Sequence, residues 1–198
     1  GNYAYIPAPF TDYLHIIDVA DPTAPFPVDS LLLPTSPFNV FVQGNYAYVT
    51  NLSGEFEIVD VSDPTAPFLA GDMTLANNAI ELQVQGSYAY IINEVNGTYR
   101  LQVIDISDPA APFVAADIAP GGILWDIVVQ GNYAYIVKLV SGPDYLLAID
   151  ISAPTTPFSV DSISIEGSLR SLYVQGNYAY IANNQFGSLE IVDISHVG

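Results

Sequence analysis

Gln43-Gly-Asn-Tyr-Ala-Tyr48 opens a stretch that continues Val49-Thr-Asn-Leu-Ser-Gly54, Glu55-Phe-Glu-Ile-Val-Asp60 and Val61-Ser-Asp-Pro-Thr-Ala-Pro-Phe68. Both of its phrases recur. Gly-Asn-Tyr-Ala-Tyr begins at Gly1, Gly44, Gly131 and Gly176, and Gly-Ser-Tyr-Ala-Tyr begins at Gly86, so the intervals are 43, 42, 45 and 45 residues. The second phrase runs in phase from Asp18 to Phe26, Asp60 to Phe68, Asp105 to Phe113 and Asp150 to Phe158, with a cut-off copy at Asp193-Ile-Ser195. A fixed period in the low forties marks one supersecondary unit copied along a chain, as in propellers and arrays.

One repeat reads as four short strands. Phe38 to Gln43 is rich in β formers, Gly44-Asn45 is a turn dipeptide, and Tyr46 to Thr50 is the next run. Phe56 to Val61 is a third strand, Ser62 to Pro67 a proline-punctuated connection, and Phe68 to Thr74 a fourth strand. No segment has helical periodicity over ten to twelve residues. Four strands in about forty residues is the unit of a β-propeller blade. We name these strands A, B, C and D from the hub outward. The chain opens at a B strand and closes after a C strand, giving four A, five B, five C and four D, or 18 strands in about four and a half blades. The fold class expected is therefore all-β, a propeller-type array of four-stranded antiparallel blades. Residues 1–198 form a single repeat domain, with repeat phases starting near 1, 38, 80, 124 and 169. Gly1 lies mid-repeat, which suggests a mature or partial product of a larger propeller or assembly.

Two loop types are nearly invariant between copies: the A–B turn and the C–D connection. In an up-and-down blade they emerge on one face. The B–C loops (7–13, 51–55, 93–99, 138–145, 183–188) and the D–A loops (34–38, 76–80, 119–126, 166–171) emerge on the other and vary in length and sequence. Function on rigid scaffolds concentrates in such loops. The variable face is the expected binding face.

Taken together, Gly-Asn-Tyr-Ala-Tyr-Val, a short polar loop, Leu/Phe-Glu-Ile-Val-Asp-Val-Ser-Asp-Pro and Pro-Phe resemble the LVIVD repeat of bacterial and archaeal surface and secreted proteins. The resemblance covers nearly the whole chain and implies propeller blades, but no particular reaction. Two departures stand out: Ala153 replaces the aspartate before Pro154, and Ser195-His-Val-Gly198 abandons the phrase.

The chain is 51% hydrophobic and carries 21 acids against three bases, Arg100, Lys138 and Arg170, for a net charge of −18. Such a surface repels nucleic acid and anionic membranes. No apolar run reaches the ~18 residues of a membrane span. Cysteine is absent, so there is no disulfide framework and no thiolate metal site. The acidic balance and the near-absence of lysine suit an extracellular or cell-surface protein.

Candidate chemistry is sparse. Asp60, Ser62 and Asp63, like Asp105, Ser107 and Asp108, could recruit calcium, but three oxygens fall short of the six to eight that calcium takes. Asx-type turns account for them better, with Asp60 and Asp105 accepting amide hydrogens of their own connections. No cofactor or metal is expected. Tyr46, Tyr88, Tyr133 and Tyr178 should share one burial class, as should Ile58, Val103, Ala148 and Ile191. Phe68, Phe113 and Phe158 should be buried between blades. His15 and His196 lack a second ligand at metal-binding spacing. Asn51-Leu-Ser53 and Asn96-Gly-Thr98 fit the N-glycosylation sequon. Trp125, in the longest D–A loop, Arg170, Lys138 and Tyr145 interrupt the repeat-regular surface, and such residues anchor recognition. Glu81, Asp126 and Glu166 stand near the starts of A strands.

The reading is a non-catalytic extracellular or cell-envelope scaffold that binds a protein or glycan through Trp125, Asp126, Arg170, Lys138, Tyr145 and Glu81, or that self-associates. The alternative is a hydrolase or lyase with a carboxylate site at the hub of the variable face. Because both ends offer B and C strands, one B edge and one C edge should stand open for another chain or further blades.

Overall fold

The computed structural model describes residues 1–75 and 78–197. Ala76 and Asn77, in the second D–A loop, and Gly198, in the C-terminal departure from the phrase, lie outside the described residues. Among the described residues there are 18 strands and no helix. They form five antiparallel sheets. The first holds β1 (Tyr3–Ala8), β2 (Tyr13–Asp18) and β3 (Phe26–Leu32). The second runs β4 (Pro37–Gln43), β5 (Tyr46–Asn51), β6 (Glu55–Asp60), β7 (Phe68–Thr74). The third runs β8 (Ala79–Gln85), β9 (Tyr88–Val95), β10 (Thr98–Asp105), β11 (Phe113–Ile118). The fourth runs β12 (Ile123–Gln130), β13 (Tyr133–Leu139), β14 (Asp144–Asp150), β15 (Phe158–Ile165). The fifth holds β16 (Leu169–Gln175), β17 (Tyr178–Asn183) and β18 (Ser188–Asp193). The first sheet thus lacks an A strand and the last lacks a D strand, as the strand count implied.

The repeated phrases have specific structural duties. Gly44, Gly86, Gly131 and Gly176 sit at φ of 60–62°. The left-handed glycine comes first in a two-residue hairpin, which is the type II′ turn that matches strand twist. The preceding glutamine bridges to the next sheet. Gln43, Gln85 and Gln130 donate from Nε2 to the carbonyls of Gly86, Gly131 and Gly176 at 2.8, 2.7 and 2.9 Å. In the C–D connection, Asp60 and Asp105 each accept the amide of the serine two residues on, both at 2.9 Å, and its hydroxyl at 2.6 Å. These are the expected Asx turns.

Each sheet has two apolar faces, set by the strand alternation. In the second sheet Tyr48, Phe56 and Ile58 point one way, and Ala47, Val49, Val59 and Val61 the other. The tyrosine face of one sheet packs on the alanine face of the next. Leu14 and Ile16 meet Ala47, Val49 and Val59. Tyr48, Phe56 and Ile58 meet Ala89, Ile91 and Ile104. Tyr90, Leu101 and Val103 meet Ala134, Ile136 and Ile149. Tyr135, Leu146 and Ala148 meet Ala179 and Ile181. The A strands β4, β8, β12 and β16 lie side by side in sequence order and form the hub, and β1, a B strand, lies beside β4.

Burial follows the repeat, with two corrections. Tyr46, Tyr88 and Tyr133 are half-buried, but Tyr178 is exposed; Ile58, Val103 and Ala148 are buried, but Ile191 is not. Both exceptions belong to the last sheet, whose tyrosine face has no sheet against it. Phe68, Phe113 and Phe158 are not buried between sheets: they are 55–57% exposed, because each begins an outermost strand opposite the half-buried aspartate that ends strand C.

Gly71 stands tight against the next sheet. A Cβ there would lie 2.1 Å from the Pro109 carbonyl oxygen and 3.0 Å from Ala110 Cα, both main-chain atoms of the next C–D connection. Main chain cannot swing aside as a side chain can. Gly71→Ala is therefore expected to destabilise toward the upper end of the roughly 1–3 kcal/mol range of overpacking. An unchanged thermal midpoint would show that the two sheets are not held this close.

Candidate functional site at the hub

Every A strand carries a bulge near its start. Pairing slips between Pro37 and Asn39, Ala79 and Glu81, Leu124 and Asp126, and Leu169 and Leu172. A bulge re-aims the side chains around it. The slips fall at Phe38, Ile80, Trp125 and at the pair Arg170 and Ser171. The residue four positions before each glutamine is polar: Asn39, Glu81, Asp126 and Ser171.

Those polar residues tie the second sheet to the third and the fourth sheet to the fifth at the hub. Asn39 Nδ2 donates to Glu81 Oε2 at 2.7 Å. Asp126 Oδ2 accepts the Leu172 amide at 2.6 Å and Oδ1 accepts its own neighbour's, Ile127, at 2.8 Å; the Ser171 side chain adds a further bond. Burial raises the Glu81 carboxyl above its ordinary range, and the Asp126 charge raises it further. Burial also raises Asp126, against the lowering effect of its amide and hydroxyl donors. Beside this collar Trp125 is 42% exposed, with the Arg170 guanidinium carbon 4.8 Å from the ring centroid. That is a cation–π distance.

The structure brings Trp125, Asp126, Arg170 and Glu81 to the hub strands. Lys138 and Tyr145 form a separate pair on β13 and β14 of the fourth sheet: Lys138 Nζ lies 5.8 Å from the Tyr145 ring centroid and donates to the Pro120 carbonyl at 3.2 Å. The Glu166 side chain is exposed, and its main-chain carbonyl accepts from Asn183 at 2.8 Å. Among the described residues no cluster of three or more His, Cys, Asp or Glu could hold a metal ion. Of the sequon asparagines, Asn96 is exposed in a left-handed turn with Gly97. Asn51 is buried: its amide donates to Thr35 Oγ1, and its oxygen accepts the amides of Ser53 and Glu55, both at 2.9 Å. A glycan on Asn51 would require this cluster to open.

Asn39 and Ser171 escaped the sequence reading, although counting back from the repeat glutamine finds both. Glu57 escaped it too. It is 2% exposed on an alanine face, with Thr35 Oγ1 donating to Oε1 at 3.2 Å. Burial, with the Glu55 and Asp72 charges assisting, pushes its carboxyl up to about 7.

Antiparallel four-stranded sheets fanned around a common hub define a β-propeller-type protein. The LVIVD repeat profile matches residues 1–31, 37–74, 76–117, 121–164 and 166–197, and the chain belongs to that family. No curated protein matches the sequence. Solved structures share the fold. A candidate 6-phosphogluconolactonase from Bacteroides fragilis superposes with a TM-score of 0.77 at 15% identity, over 98% of this chain and 64% of its own. BamB from Moraxella catarrhalis gives 0.69 at 13%, over 98% and 55%. The β-propeller domain of Cps50 (Swd1) from Myceliophthora thermophila gives 0.73 at 9%, over 98% and 67%. The chain thus spans less than two thirds of the length of the first two. At these identities the likeness shows the fold alone.

Proposed function

We propose that this protein is a non-catalytic extracellular or cell-envelope scaffold whose variable face binds a protein or glycan. One observation carries this reading: the exposed Trp125, with the half-buried Arg170 against its ring, stands beside carboxylates already committed to structure. Asp126 ties two inner strands through the Leu172 amide, and Glu81 ties two through Asn39. A rigid collar with a projecting aromatic and a cation is the composition of a recognition anchor. The Gln–Gly ladder holds the sheets in register on the opposite, invariant face and leaves the variable loops free to specialise.

A hydrolase or lyase at the hub is the second reading. The raised carboxyls of Glu81 and Asp126 favour it, because acid–base chemistry uses such shifts. The two readings separate by experiment. On a glycan and peptide array, Trp125→Ala is expected to lose tenfold or more in affinity for whatever the parent binds, with its melting temperature close to the parent's. Retained binding by Trp125→Ala would overturn the assigned site. Turnover of glycoside or lactone substrates by the parent, abolished in both Glu81→Gln and Asp126→Asn, would replace the scaffold with the enzyme.

A further inference from the structure

The chain sets three cations against 21 acids, and the structure uses the three differently. Arg100 is spent in an ion pair, with Nε 2.6 Å from Asp117 Oδ1. Lys138 is turned to main chain, donating to the Pro120 carbonyl at 3.2 Å. Arg170 has neither kind of partner. Among the described residues the charge contacts are Arg100–Asp117 and His196–Asp161, so no carboxylate lies within 4.0 Å of the Arg170 guanidinium. Two acids reach its immediate neighbours instead. Asp144 Oδ2 accepts the amide of Leu169, the residue before it, at 2.9 Å. Asp126 Oδ2 accepts the amide of Leu172, two residues after it, at 2.6 Å. Both acids are thus committed to main chain, and the guanidinium is held over Trp125 without a counter-ion. The repeat does not ask for a cation here. Counting five residues back from the repeat glutamine gives Phe38, Ile80 and Trp125 in the other sheets and Arg170 in the last.

We propose that the hub face takes a glycan carrying a uronic acid, with the carboxylate on Arg170 and the sugar ring against Trp125. The proposal rests on the reading of this face as a recognition site and narrows it to one ligand class. An arginine fork matches a carboxylate with two parallel N–H bonds, and an aromatic beneath it holds the fork in place. Trp125 is 42% exposed, so indole surface is still open to the apolar C–H face of a sugar. In a hexuronate the carboxylate is bonded directly to the ring, and one residue therefore meets both the fork and the indole beside it. An acidic side chain of a peptide carries its carboxylate on a flexible stem and brings no ring to Trp125. The net charge of −18 sets a further limit, because a polyanion with a carboxylate on every unit is repelled by the molecule as a whole. The ligand is an isolated uronate on an otherwise neutral glycan.

Calorimetric titration with a xylo-oligosaccharide carrying one glucuronate, and with its carboxyl-reduced form, tests this. The parent is expected to bind the uronate form about ten- to a hundredfold more tightly, the worth of hydrogen bonds to a charged group. Arg170→Gln should bring the uronate form down to the affinity of the reduced form and leave the reduced form unchanged. Arg170→Lys should recover part of the preference, and added salt should erase that part. Both variants should keep the parent's circular dichroism, because the Asp126 and Asp144 ties use amides and not the Arg170 side chain. The comparison of the two sugars on the parent needs no variant at all. A parent that binds the two forms alike, or neither, would overturn the proposal, as would an Arg170→Gln that keeps the preference. Binding of an Asp- and Glu-containing peptide through Arg170 in place of the sugar would overturn it too. The recognition reading fails separately, only where Trp125→Ala still binds whatever the parent binds.

Discussion

Phe56→Ala is expected to lower stability by about 3–5 kcal/mol, the range for truncating a fully buried aromatic. Phe56 has no exposed surface and stacks on Tyr48, with ring centroids 6.3 Å apart, in the interface between the second and third sheets. Both sheets frame the site, so the void cannot close by movement of one loop. Leu189→Ala, at the equivalent position of the last sheet, should change the stability of the monomer by no more than about 0.5 kcal/mol, as surface substitutions do. Urea unfolding of the two variants checks the contrast, at a concentration too low for association. Equal losses would mean that the last sheet is covered in the isolated chain.

Glu57 should make stability fall with rising pH. Its carboxyl ionises at about 7 in the folded chain, against an ordinary value of 4.5. Below the ordinary value it is protonated in both states and costs nothing. Between the two values the unfolded chain releases a proton that the folded chain retains, so stability is lost as pH rises, and the loss levels off above about pH 7. The full loss is on the order of 3 kcal/mol. Several aspartates act in the opposite sense but in a lower window: the Ser107 hydroxyl and amide hold Asp105 below its ordinary range, and Thr65 does the same for Asp63. Their stabilisation is lost only as pH drops below the ordinary carboxylate value. Comparing parent with Glu57→Gln cancels these shared contributions. The variant should gain on the parent progressively from about pH 4.5 to pH 8, reaching about 1–3 kcal/mol. A stability difference that does not change with pH would show that Glu57 ionises normally.

The fold was legible because the repeat repeats its constraints. A left-handed glycine in the hairpin, an aspartate that closes a turn on its serine and an alternating apolar strand leave the same letters in every copy. The phenylalanine after the second proline misled for the same reason. Its invariance suggested a core, yet Phe26, Phe68, Phe113 and Phe158 all stand half-exposed at the outer rim. The collar was half legible. Glu81 and Asp126 stood out as charges, whereas Asn39 and Ser171 do the same tying without one. Glu57 left no trace in the pattern. The residues in its place elsewhere are His15, Gln102, Leu147 and Glu190, and its protonation is set by the sheet and loop packed over it.

Gly71 fits so tightly against Pro109 and Ala110 that two adjacent sheets are spaced by main chain. That spacer is particular to the second sheet, because Asp29, Ala116 and Asp161 hold the same position in the first, third and fourth. The fourth sheet places Ala148 opposite Asp161 where the second places Ile58 opposite Gly71, and both Ala148 and Ile58 are buried. Inheritance in such a chain can act on whole units. Duplicating one repeat brings its own hairpin and ladder and gives a new pair of variable loops freedom to diverge.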